Sequence, residues 1–89
     1  MKEIELPDIE IDELINDPNA LVVYNDEVNT FDHVINTLIK VCKHSPEQAE
    51  QCTMLIHYKG KCAVKSGTRE ELKPMATAIC DAGIDARIR

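Results

Sequence analysis

Two short stretches of this 89-residue chain concentrate polar chemistry: Asn25-Asp26-Glu27, directly after an apolar run, and His57-Tyr58-Lys59-Gly60. Carboxylates and an imidazole can exchange protons, and Cys52 or Cys62 would add a nucleophile. The surrounding pattern argues against such an enzyme. Cys52 falls on an apolar helical stripe, Cys62 falls within a strand-like run, and no oxyanion or cofactor motif accompanies them. Taken one at a time, each stretch has a simple local meaning. Asn and Asp favour turns and helix starts, and a His near a helix C-terminus complements the helix dipole.

Other chemistries are excluded by spacing. The four cysteines (Cys42, Cys52, Cys62, Cys80) form no C-x-x-C pair, and with His33, His44 and His57 they give no local metal-ligand spacing. We therefore expect no metal, no cofactor and no disulfide framework, the cysteines serving as small core residues. Gly60, Gly67 and Gly83 are isolated turn residues rather than a phosphate-binding loop. No apolar run approaches the roughly 18 residues of a membrane span, and the N-terminus does not resemble an export signal, so the expected location is the cytoplasm.

Charge is segregated along the chain. Residues 1–20 carry seven acids against Lys2, whereas residues 21–89 carry nine acids and nine bases. A neutral body with an acidic arm gives nucleic-acid phosphates or anionic membranes nothing to hold. The division predicts an acidic flexible N-terminal extension over 1–19 and one folded domain over 20–89. Ile4, Leu6, Ile9, Ile11, Leu14 and Ile15 lie among the acids. That composition suits a disordered extension first, with a segment that docks elsewhere as the alternative.

The elements that must position the polar stretches follow from periodicity and caps. Residues 20–24 (ALVVY) suit a buried strand. Asn29 or Thr30 caps a helix whose stripe is Phe31, Val34, Ile35, Leu38, Ile39 and Cys42. Ser45-Pro46-Glu47-Gln48 opens a second helix, with Ala49, Cys52, Leu55 and Ile56 expected to face the core and Gly60 to stop it. Residues 61–65 alternate as a half-exposed strand. Thr68-Arg69-Glu70-Glu71 is a capping box for a third helix running through Leu72, Met75, Ala76, Ile79 and Cys80, with Pro74 predicting an irregular turn or kink. Ile84, Ala86 and Ile88 alternate as a last strand. The order β-α-α-β-α-β predicts an α+β sandwich, a three-stranded antiparallel sheet with three helices on one face.

The two polar stretches, separated by two helices, resemble the ClpS adaptor family. The resemblance covers about residues 21–89. It rests on VVYNDEVNTFDHVINTLI, then MLIHYKGKCAV, then GTREE. It implies a non-enzymatic monomer of ClpS-like fold that captures proteins by a bulky apolar N-terminal residue (Leu, Phe, Tyr or Trp) and delivers them to a Clp unfoldase. Carried over by position, Asn25, Asp26 and His57 would accept hydrogen bonds from the substrate α-ammonium, which needs carboxylate and amide acceptors. Phe31, Val34, Thr53 and Ile56 would wall the apolar pocket, with Asn29 and Glu27 at its rim. Glu70 and Lys73 would contact the N-terminal domain of a ClpA- or ClpC-type unfoldase. Phe31 and Thr53 stand where methionines are frequent in the family, and Met75 stands where a basic residue is common. These departures leave open a ClpS-like scaffold with altered N-terminal specificity or a different partner.

Overall fold

The computed structural model describes residues 19–89. The expected extension lies outside the described residues except for Asn19, which opens the first strand. The elements are β1 (Asn19–Tyr24), α1 (Phe31–Cys42), α2 (Pro46–Lys59), β2 (Lys61–Gly67), α3 (Arg69–Asp81) and β3 (Ala86–Ile88). The sheet is antiparallel in the order β2-β1-β3. The α+β architecture expected from periodicity is the one observed.

Each helix begins where its side chains can satisfy backbone N–H groups that have no intrahelical partner. The hydroxyls of Thr30, Ser45 and Thr68 accept from the backbone N–H of His33, Gln48 and Glu71. At α3 the Glu71 carboxylate returns the favour by accepting from Thr68 N at 3.0 Å, completing the capping box. The helix then runs unbroken past Pro74, so the anticipated irregular first turn is absent. It ends in a Schellman turn: Gly83, at φ 87°, donates to Cys80 O, and Ile84 N donates to Ile79 O.

Leu21 and Val23 of β1 face the helices and are fully buried with Leu38, Cys42, Ala49, Leu72 and Ile79. Two expectations about helix faces are corrected. Leu55 is 45% exposed, and the core stripe of α2 is Ala49, Thr53 and Ile56. Those positions lie at i, i+4 and i+7, while Leu55 is turned about 100° away from Ile56. Cys80 likewise lies at the surface; of the four cysteines, Cys42 alone is fully buried, and Cys52 and Cys62 are half-buried.

Candidate functional site

The site forms where β1 ends. Tyr24 N donates to Asp85 O and Asn25 N donates to Gly60 O, both at 2.9 Å. These bonds clamp the chain between the α2–β2 turn and the α3–β3 loop. Gly60 fits that turn because its φ of 95° lies in the left-handed region that a side chain disfavours. Its N–H closes α2 on Ile56 O while its carbonyl holds Asn25.

Asp26 then organises the following turn. Its Oδ1 accepts from Val28 N and Asn29 N, both at 2.9 Å, and its Oδ2 accepts from Asn29 Nδ2 at 2.7 Å. The backbone N–H groups of Asn29 and then Val28 hold the carboxyl below its ordinary value of 3.8, aided by the Asn29 amide and opposed by partial burial. Asp26 is therefore ionised at neutral pH. A carboxylate has about four acceptor positions, so these three bonds leave capacity on Oδ2 for one more donor. Asn29 Nδ2 also donates to Gly83 O at 2.8 Å, bracing the turn against the α3–β3 loop.

Asn25, Asp26 and Asn29 meet Val34 of α1, Ile56 of α2 and Ile84 around one cavity of about 20 Å³. That space holds a single water-sized group. An ammonium is of that size, and the lining combines polar Asn25, Asp26 and Asn29 with apolar Val34, Ile56 and Ile84. His57 lies in the last turn of α2 and does not line the cavity. Its ring meets Phe31 edge-on at 5.4 Å and Tyr58 edge-on at 5.1 Å between centroids. Phe31 is 38% exposed at the first position of α1.

The structure thus brings Asn25, Asp26, Asn29, Val34 and Ile56 together around the cavity, whereas Phe31 and His57 meet each other edge-on and do not line it. Thr53 is only 2% exposed and does not line the cavity; its hydroxyl donates to Ala49 O at 2.7 Å within its own helix. Glu27 is exposed and outside the cavity wall. Glu70 and Lys73 are exposed on α3, and Met75 packs partly against the core. Alternation places Ile84 in the last strand, whereas it precedes β3 and lines the cavity, and Asn29 braces the turn through Gly83 O. Neither had a local signal, since each depends on the return of the chain after α3. Burial, with Cys52 alongside, pushes the Cys62 thiol up to about 11, and burial also raises Cys42, so neither of these two offers a reactive thiolate at neutral pH.

This geometry defines a small α+β domain with a notch, lined in part by Asn25, Asp26 and Asn29, at the end of its central strand. The chain belongs to the ClpS family, described as ATP-dependent Clp protease adaptor protein ClpS, whose family model matches residues 15–85. An ATP-dependent Clp protease adapter protein ClpS from Rhodococcus jostii is 31% identical over 81 residues, spanning 91% of this chain and 72% of the relative. One from Streptomyces coelicolor is 31% identical over 72 residues, 81% of this chain and 75% of the relative. The E3 ubiquitin-protein ligase UBR1 of Drosophila melanogaster is 40% identical over 58 residues, which is 65% of this chain but 3% of that much longer protein. Among solved structures, Agrobacterium tumefaciens ClpS2 bound to L-phenylalaninamide superposes with a TM-score of 0.74 at 19% identity. The superposition covers 80% of this chain and 93% of that one.

Proposed function

We propose that this domain is a non-enzymatic adaptor that reads the free α-amine and bulky apolar side chain of a protein's first residue. It then passes that protein to the N-terminal domain of a ClpA- or ClpC-type unfoldase. The observation that carries the reading is the convergence of Asn25, Asp26 and Asn29 with Val34 and Ile56 on one ammonium-sized cavity. A family relative bound to L-phenylalaninamide, a phenylalanine with a free amine, lends further support.

In this reading the substrate ammonium donates to the remaining acceptor position of Asp26 and to Asn25, with His57 taking a third N–H. Charge-assisted hydrogen bonds contribute about 1.5–3 kcal/mol each. A buried Leu or Phe side chain adds about 1.5–3 kcal/mol. Together these reach micromolar affinity or better once association costs are met. The cavity of about 20 Å³ accommodates the amine but not a Leu or Phe side chain. In this reading the side chain of the first residue therefore extends beyond the cavity, toward the Phe31 and His57 rings. Glu70 and Lys73 form the unfoldase-facing surface, and the adaptor works as a cytoplasmic monomer.

The test is fluorescence anisotropy with peptides differing only at residue one (Leu, Phe, Tyr, Trp, Ile, Val, Met, Ala) and an N-acetyl-Leu control. Micromolar or tighter binding to Leu, Phe, Tyr or Trp is expected, lost on acetylation and in Asp26→Ala, and weakened in His57→Ala. Equal binding of acetylated and free peptides would overturn the reading. Preference for Ala would instead give the altered N-terminal specificity that Phe31 and Thr53 leave open.

A further inference from the structure

The sheet has a second face that no described element covers. Residues directly opposite across an antiparallel pair share a face, and Val22 pairs with both Ala63 and Arg87 while Tyr24 pairs with Lys61. The alternate positions Leu21, Val23, Val64 and Ala86 are buried against the helices. The outer face therefore presents a small apolar centre, Val22 and Ala63, bordered by cations. Arg87 and Arg89 both lie over the Tyr24 ring, at 5.6 and 5.7 Å from its centroid, and Arg89 Nε donates to the Tyr24 hydroxyl at 2.9 Å. Arg87 also meets Asp85, an exposed contact at 3.4 Å from the loop before β3. None of Val22, Tyr24, Lys61, Ala63, Arg87 and Arg89 is acidic.

We propose that this face is a docking surface for residues 1–18 of the same chain, which lie outside the described residues. Three observations select that occupant. The first is charge: this segment carries seven acids against Lys2, and the face carries Lys61, Arg87 and Arg89. The second is patterning: Glu3-Ile4-Glu5-Leu6 and Asp8-Ile9-Glu10-Ile11-Asp12 alternate carboxylates with large aliphatics on either side of Pro7. Such a chain sets aliphatic side chains on Val22 and Ala63. Its carboxylates reach the Arg and Lys heads, which long stems carry above the strands. The third is continuity: the segment leads directly into β1, the central strand. Ile11 is separated from Asn19 by roughly 26 Å of extended chain, and β1 itself spans roughly 17 Å. After reversing ahead of Asn19, the segment is long enough to reach back across the whole face.

The experiment uses the full chain, labelled with carbon-13 and nitrogen-15, in low salt. Nuclear Overhauser contacts are expected from the Ile9 and Ile11 methyls to the Val22 and Ala63 methyls. They should fade as salt rises from about 0.02 M to about 0.5 M, where screening shortens the range of charge attraction. They should vanish in the double variant Arg87→Glu, Arg89→Glu, its fold checked by circular dichroism. They should vanish also in the segment variant Glu3→Lys, Glu5→Lys, Glu10→Lys, which leaves the described core untouched. Combining the two sets should restore them. Absence of the contacts in low salt would overturn the proposal, as would their persistence in both charge-reversed variants. Contacts seen only between labelled and unlabelled chains in a mixed sample would overturn it too, by assigning the face to a second copy. Each outcome is independent of what the notch at the end of β1 binds.

Discussion

Asp26 carries its charge among N–H donors that belong to its own turn, and this makes it a pH-sensitive group. Its folded-state value lies below the ordinary 3.8, so the folded protein binds the proton less readily than the unfolded chain. The stabilisation is complete above the unfolded value and is lost as pH falls through the lower folded value. Carboxyl-carbon NMR of Asp26 should therefore show a midpoint below 3.8, with the Val28 and Asn29 amides shifting over the same acid range. A midpoint at or above 3.8 would contradict these hydrogen bonds. That Asn25 and Asp26 form a polar turn after β1 was legible because Asn and Asp favour turns and helix starts; their part in a binding site was implied only by the resemblance to the ClpS family. The Asn29 contact with Gly83 O was not legible, because it joins residues 54 positions apart. Nor could the sequence reveal that Phe31 leans on His57, since helical spacing assigned Phe31 to the core stripe.

Helix ends carry much of the positioning, and their contributions can be tested separately. Thr68→Ala removes the hydroxyl that accepts from Glu71 N at 3.1 Å. It should cost about 1 kcal/mol, with Thr68→Ser recovering most of it. In a domain of this size that corresponds to a fall in Tm of roughly 4–8 °C by calorimetry. Gly60→Ala forces a side chain into φ 95° and should cost about 1 kcal/mol. Because the Gly60 carbonyl holds Asn25, this variant should also move the Asn25 amide resonance and weaken peptide binding, which Thr68→Ala should not. The helix starts at Ser45 and Thr68 were readable from sequence, since a cap is a contact between residues three apart. The core face of α2 was not. Cys52, Leu55 and Ile56 fit a helical stripe as well as Ala49, Thr53 and Ile56 do, and only the sheet beneath decides between them. Thr53 can occupy the buried stripe because its hydroxyl bonds Ala49 O, a possibility that hydrophobic patterning alone hides.

At the scale of the whole molecule, one apolar layer joins all six elements, with Leu38 of α1 among its largest members at 1% exposure. Leu38→Ala should cost about 2–5 kcal/mol, a large share of the roughly 5–15 kcal/mol that holds a domain together. Urea unfolding should show the loss as a lower midpoint with an unchanged slope. The overall architecture was legible because strand and helix periods alternate cleanly from residue 20 onward. The order of strands in the sheet was not, because β1 lies between two strands that follow it in the chain. That central placement bears on when the notch can exist. Tyr24 is held by Asp85, Asn25 by Gly60, and Asn29 by Gly83, so an early segment takes its final shape only from parts made last. A nascent chain emerging from the ribosome lacks these braces until residues 83–85 have emerged and folded back. A protease that severs the α3–β3 loop would loosen the notch without touching Asn25 or Asp26. On the proposed function, only a finished and intact copy would capture cargo.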